Sequence, residues 1–266
     1  MESRTSGAIK IVTINPEDLR LEVDLLDRGA TRPETGQQVI DRLHPDALIC
    51  GPMFEIPSGQ GYGAYTVARL IYRYLDARSN VNVQSAYPQR GGTISVVDNQ
   101  AVFKRGDQIQ EGSQFAIQGY PSLVENGSNV ASATNDTQAE GRCAIGIQTD
   151  GKVVFCLGTL GMREFAAAMI RAGIKWAVYL DGGGSSTLYS DTFHIGLTSR
   201  RLPAYIMAMR SASEAVIDGL NHPIDTMSHP VQTIGTISRS ATSKPTMIVI
   251  PVLALGFMAW YLSGDH

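Results

Sequence analysis

RCAIGIQTDGKVVFCLG, residues 142–158, decides how this chain is read. Two runs of apolar and small residues flank Asp150-Gly151. Asp-Gly suits a type I′ turn, in which both central residues need positive φ. The stretch therefore predicts a β-hairpin. Side chains alternate across a strand, so Cys143, Ile145 and Ile147 share one face while Arg142, Ala144 and Gly146 take the other. Small neighbours leave the Arg142 guanidinium room to reach a ligand.

Downstream, Met162, Phe165, Ala166, Met169 and Ile170 form an apolar helical stripe, and Gly173 fits the C-terminal cap. WAVYL, residues 176–180, follows as a strand and runs straight into DGGGSS, residues 181–186. Three successive glycines remove every Cβ from one bend, so the backbone can approach a ligand closely. Their amides, with the Ser185 and Ser186 hydroxyls, can line an anion site beside Asp181. No Gly-Lys-Ser/Thr follows and no G-x-G-x-x-G opens a helix, which excludes the common nucleotide loops. A flexible glycine–serine linker is the competing reading. Its position between an apolar strand and TLY argues against that. AYIMAM, residues 204–209, reads as a further strand.

Upstream, IKIVTI (9–14) and LRLEVDLL (19–26) read as strands around Asn15-Pro16, and DALICGPMF (46–54) as a short buried strand. Ala64, Val67, Ala68, Ile71, Tyr74 and Leu75 recur at helical spacing and predict a helix over 63–77. TISVVD, AVFKRG and QFAIQG return to strands, and the polar residues 126–141 read as a long surface loop. The expected fold class is α+β (mixed α/β). It is a single domain over 1–211, with β-rich sheets and a few packed helices.

Of 266 residues, 43% are hydrophobic and 18% charged, an ordinary globular balance. The net charge of −3 provides no broad basic surface, so nucleic acid is not an expected partner. Cys50, Cys143 and Cys156 lie far from any Cys-x-x-Cys spacing, and no zinc or other cofactor is expected. They read as buried free thiols, a Cys143–Cys156 disulfide being the alternative. The first residues, MESRTSGAIK, lack the apolar core of a secretory signal, so the sequons at Asn126 and Asn135 read as chance matches. Residues 212–246 read as a linker. Residues 247–262, MIVIPVLALGFMAWYL, carry no charge and would span about 24 Å as a helix. We expect a single transmembrane tail anchor there, with Trp260 and Tyr261 at the interface. Arg239 and Lys244 would place the main domain on the cytoplasmic side. A buried C-terminal helix or strand is the alternative.

RCAIGIQTDG, a strand and helix, and then VYLDGGGSSTL together resemble the phosphodiester glycosidase family. GYPSLVENG (119–127) is similar to that family's proline–leucine–valine stretch, and SRRLPAYIMAM (199–209) to its closing arginine and strand. The likeness covers most of residues 8–211, in order. One departure stands out: Cys50-Gly51-Pro52-Met53-Phe54 occupies the place of an Asn-Gly-Gly-Phe-Phe motif.

The resemblance implies cleavage between an anomeric carbon and a phosphate oxygen, with a sugar phosphodiester as substrate. Such a site must hold the phosphate, stabilise an oxocarbenium-like carbon and position water. Arg142 would clamp phosphate oxygens in a planar fork. Gly182, Gly183, Gly184, Ser185 and Ser186 would add donors. Asp181 would activate water or face the cationic carbon, unless it only caps the glycine turn. Glu55 is the second carboxylate, or else an ordinary loop glutamate. Asn126 can bond a sugar hydroxyl or simply make a turn. Arg200 or Arg201 can add a phosphate contact, and His194 reads as a surface or core histidine. The competing functional reading is a catalytically inactive carbohydrate-binding or structural protein, such as a membrane or phage-particle component with the same fold.

Overall fold

The structure, a computed structural model, describes residues 1–25, 33–55, 69–70, 74–76, 81–131 and 138–210. The chain opens with β1 (Glu2–Ser6), β2 (Ile9–Ile14) and β3 (Leu19–Leu25), followed by α1 (Gly36–Leu43) and β4 (Ala47–Cys50). Short strands follow: β5 (Phe54–Glu55), β6 (Arg69–Leu70), β7 (Tyr74–Asp76) and β8 (Val81–Val83). Then come β9 (Gly92–Val97), β10 (Gln100–Arg105), β11 (Phe115–Gly119), β12 (Ser122–Glu125) and β13 (Ser128–Asn129). β14 (Glu140–Gln148), β15 (Val153–Leu160), α2 (Met162–Arg171) and β16 (Ile174–Tyr179) precede the glycine turn. β17 (Leu188–Tyr189), β18 (His194–Ile195) and β19 (Ala204–Arg210) complete the order.

A seven-stranded sheet, β1-β2-β15-β14-β16-β12-β13, stands beside two five-stranded sheets, β10-β9-β11-β7-β8 and β18-β17-β4-β19-β3. β5 and β6 pair separately. The fold is thus β-rich, and the expectation of an α+β class is corrected. Only two α-helices occur among the described residues, and the named strand pairs are antiparallel. The α/β signal came from the β15–α2–β16 crossover. β14 lies between those two strands and runs antiparallel to both.

The helix expected over 63–77 is also corrected in its described part. Arg69–Leu70 and Tyr74–Asp76 are strands, and Tyr74 pairs with Ile117 on one side and Val83 on the other. Cross-strand pairing of a buried Tyr74 outweighs a local helical spacing. α1 is a helix left unassigned above, although Gly36, Val39 and Ile40 line its buried face at helical spacing. Its signal is a capping box, Thr35-Gly36-Gln37-Gln38, with reciprocal bonds between Thr35 and Gln38.

The 142–158 hairpin forms with the expected faces. Cys143, Ile145 and Ile147 enter a core shared by the three large sheets, with Val12, Ile49, Ile117 and Tyr205. Ala144 enters a second core on the opposite face, with Phe165, Ala166 and Met169 of α2. Cys156 belongs to that second core, so a Cys143–Cys156 disulfide would have to cross the sheet; all three cysteines are free and buried. The turn differs from the expected type I′. Within it only Gly151 has positive φ, at 85°, and Gln148 N–H donates to Lys152 O across a three-residue loop. Asp150 stays out of the left-handed region and instead accepts from the Lys152 N–H.

Among the described residues no helix is long and apolar enough to cross a membrane. The linker and the 247–262 segment lie outside those residues.

Candidate active site

β16 delivers Asp181 to a junction of two sheets. Leu180 N–H donates to Cys143 O, and Asp181 N–H donates to Gly51 O at 3.1 Å. The strand thus ends pinned between β14 and the segment just after β4. Cys50 is fully buried and donates its thiol to the Asp181 carbonyl at 3.0 Å. Burial pushes the Cys50 thiol well above its ordinary range, and the neighbouring Cys143 thiol adds to the shift.

After Asp181 the chain makes a tight 3-10 turn, Gly183–Ser185. The expected row of donors is divided by this geometry. Gly182 N–H turns back to Asp181 Oδ1 at 3.1 Å. Ser185 and Ser186 N–H groups close the turn on Gly182 O and Gly183 O. Gly183 and Gly184 are exposed and hold the N–H groups that can face a ligand.

Two close approaches explain the glycines on either side. A Cβ at Gly182 would lie 2.0 Å from the Tyr179 hydroxyl, and one at Gly141 would lie 2.4 Å from Ser186 Oγ. That Oγ is buried and has no hydrogen-bond partner. Gly183 differs: its φ is +57°, and nothing would meet a Cβ within 4 Å.

Asp181 is half-buried. Burial pushes its carboxyl above the usual range, against the opposing pull of the Ser185 hydroxyl, the Gly182 N–H and the Arg200 charge. Ser185 is fully buried, and its Oγ also accepts from Arg200 Nη1 at 3.2 Å. The guanidinium passes over Gly184, its Cζ 3.5 Å from where a Cβ would stand. Arg201 goes elsewhere, donating to Pro33 O. Geometry therefore separates the two arginines that sequence left equivalent.

Arg142 is almost buried, at 5% exposure, and its guanidinium is committed to protein partners. It donates to Leu160 O at 3.3 Å, Gln138 O at 3.4 Å and the Tyr179 hydroxyl at 3.2 Å, with Glu140 Oε2 at 3.6 Å. The room that small neighbours leave beside Arg142 is filled by Tyr179. Burial pushes the Tyr179 hydroxyl up to about 12, so it stays protonated at neutral pH.

One expected site residue, Asn126, is not brought to this turn. Asn126 has φ 49° in the β12–β13 turn, where Gly127 N–H bonds Lys175 O at the start of β16. Six residues of strand separate Lys175 from Asp181, roughly 20 Å. His194 is exposed and meets Tyr189 edge-on. Glu55 has its backbone in β5, opposite Arg69 and four residues after Gly51. Tyr179 is the neighbour that sequence reading missed. The available signal was its place two residues before Asp181, on the same strand face.

A family model described as phosphodiester glycosidase matches residues 46–233. No curated protein matches in sequence. Among solved structures, the fold is similar to the catalytic domain of zebrafish N-acetylglucosamine-1-phosphodiester alpha-N-acetylglucosaminidase, auto-inhibited by its pro-peptide. The TM-score is 0.56 at 14% identity, over 79% of this chain and 83% of that one. A Burkholderia pseudomallei protein is similar with a TM-score of 0.54 and 12% identity, over 76% of this chain and 73% of the other.

Proposed function

The chain belongs to the phosphodiester glycosidase family, and on that premise we propose that it hydrolyses the C1–O bond of a glycosyl phosphodiester. The products are a free sugar and a phosphomonoester. The observation that carries this reading is the Asp181–Ser185–Arg200 chain on the glycine turn. It sets a carboxylate of raised basicity beside a cation and two exposed backbone donors.

In this mechanism Arg200 and the N–H groups of Gly183 and Gly184 hold the phosphate. Asp181 takes a proton from water as the water oxygen bonds C1. The C1–O electron pair leaves on the phosphate oxygen, already a weak base, so acid assistance matters little. A carboxylate whose pKa is raised toward the working pH is a better base than an ordinary surface aspartate. Glu55, just beyond the Gly51 carbonyl that holds Asp181, is the second carboxylate of the proposal. Arg142 acts through Tyr179, whose hydroxyl it holds against Gly182.

Hydrolysis of a sugar 1-phosphodiester in ¹⁸O-water tests the reading. Label in the sugar supports C1–O cleavage. Label in the phosphate, or no turnover, removes it. Binding without turnover would favour the second reading, a non-catalytic carbohydrate-binding protein. The observation on its side is Cys50, whose thiol meets the Asp181 carbonyl where the family's motif has an amide side chain. The proposal also includes membrane attachment through residues 247–262, with the main domain on the cytoplasmic side.

A further inference from the structure

Tyr120 begins at the same end of β16 as the glycine turn. Its N–H donates to Tyr179 O at 3.1 Å, two residues from Asp181 and so about 7 Å along the chain. Its ring is 36% exposed, unusual among the large apolar side chains here. The Arg90 guanidinium lies over this ring and over that of Tyr87, with Cζ 5.6 Å and 4.6 Å from the two centroids. Contact with two aromatic faces steadies a guanidinium while its N–H groups stay available to an anion.

Three further facts mark this as a built feature. Arg90 is exposed, yet among the described residues no carboxylate pairs with it. Its loop is fixed from below by Gln118, a fully buried amide that donates to Tyr87 O at 3.1 Å and to Arg90 O at 2.7 Å. The loop also closes on itself, Arg90 N–H donating to Tyr87 O. A buried amide spent on two loop carbonyls sets the position of both residues that form the stack.

We propose that Tyr87, Arg90 and Tyr120 form a subsite for a second anionic group, phosphate or carboxylate, carried by the leaving half of the substrate. The inference rests on the hydrolase reading above and names the kind of phosphoryl partner the site prefers. Arg200 and the glycine amides hold the phosphate that departs from the sugar. Arg90 holds a charge a few carbon atoms farther along. Glycerol 1,3-bisphosphate, with six bonds between its phosphorus atoms, is a compact probe that carries two such charges. Tyrosine faces stack beside the chain that joins the two charges.

Titration calorimetry of the full chain with three product-like ligands tests this without knowledge of the sugar. They are glycerol 3-phosphate, glycerol 1,3-bisphosphate and 3-phosphoglycerate. The doubly charged ligands should bind about tenfold tighter than glycerol 3-phosphate, the gain expected of one charge-assisted contact. Arg90→Gln should erase that gain and leave glycerol 3-phosphate unchanged; an exposed side chain makes the substitution safe for folding. Whichever of the bisphosphate and the phosphoglycerate shows the gain identifies the anion. Equal affinities in the wild-type protein, no binding by any of the three, or an equal loss for all three in Arg90→Gln overturns the subsite. Arg90-dependent binding without turnover of any sugar diester would leave the subsite standing and remove the hydrolase reading. Turnover with no Arg90 dependence would do the reverse.

Discussion

Arg200 Nη1 donates to Ser185 Oγ at 3.2 Å, and the same hydroxyl bonds the carboxylate of Asp181. A hydroxyl has one proton. With Arg200 filling a lone pair, Ser185 is set to give that proton to Asp181. The buried serine therefore fixes two functional groups at once. Ser185→Ala removes a bond that favours the charged carboxylate, so the Asp181 pKa should rise further. The acid limb of the pH–rate profile should move to higher pH, and turnover at neutral pH should fall by about tenfold, the size of one such hydrogen bond. An unmoved limb would separate Ser185 from Asp181.

Arg142 and Arg200 should respond differently to the same change. Arg142→Lys places a single ammonium where a fork meets two carbonyls and a tyrosine hydroxyl. We expect a stability loss of roughly 1–3 kcal/mol, from buried acceptors left unpaired. Arg200→Lys should leave the melting temperature nearly unchanged and raise KM. Thermal melting and steady-state kinetics on both variants read the contrast. A raised KM with unchanged melting for Arg142→Lys would return that residue to the phosphate.

These contrasts show which parts of the site were legible in sequence. Alternation along 142–148 told correctly which residues face which core, because strand periodicity is a local property. The DGGGSS turn was legible for the same reason: glycines and an acid at a strand end constrain nearby backbone. Partners were not legible. Cys50 meets Asp181 across 131 positions, and Arg142 meets Tyr179 across 37. Nothing in either neighbourhood announces the contact. The 63–77 helix failed because spacing cannot register that Tyr74 is claimed by strands on both sides. The separation of Asn126 from Asp181 was not legible either, because it is set by the direction of β12 along β16.

The glycines should not be equivalent. Gly182→Ala would put a Cβ 2.0 Å from the Tyr179 hydroxyl and 2.8 Å from Gly141 O. The ring must move, and with it the contact to Arg142. Gly183→Ala meets nothing and bears only the strain of positive φ, about 1–2 kcal/mol. Melting temperature should drop more for Gly182→Ala, and turnover should collapse with it. Equal effects of the two substitutions would mean that the Tyr179 contact does not matter.

The tail has its own test. Sixteen uncharged residues on a polar linker should hold the full-length protein in the membrane pellet through alkaline carbonate extraction. Leu255→Arg, near the middle of the segment, should release it, since a central arginine costs about 2.5–3.5 kcal/mol on insertion scales. Full-length wild-type protein in the supernatant would end the anchor proposal.

Asp181 is the residue on which stability and chemistry should part. Its folded pKa is raised, so its protonation contributes stability that is fully present below the unfolded aspartate value, about 3.9. That contribution is lost as pH rises through the folded value. At neutral pH the native protein carries a half-buried charge that it would rather not have. Asp181→Asn removes the charge and keeps an oxygen for the Gly182 N–H, so the turn should survive. The variant should melt at the same temperature as wild type or higher at pH 7, and the difference should vanish or reverse on acidification toward pH 4. Turnover should fall by a factor on the order of a hundred or more, as loss of a general base does. Affinity for a sugar phosphodiester should hold or improve, because a negative neighbour of the phosphate is gone. Melting curves at the two pH values, calorimetry and steady-state rates supply the four readings. A folded Asp181→Asn protein that turns over normally would take the chemistry away from Asp181. One that melts well below wild type at pH 7 would make the carboxylate a cap on the glycine turn.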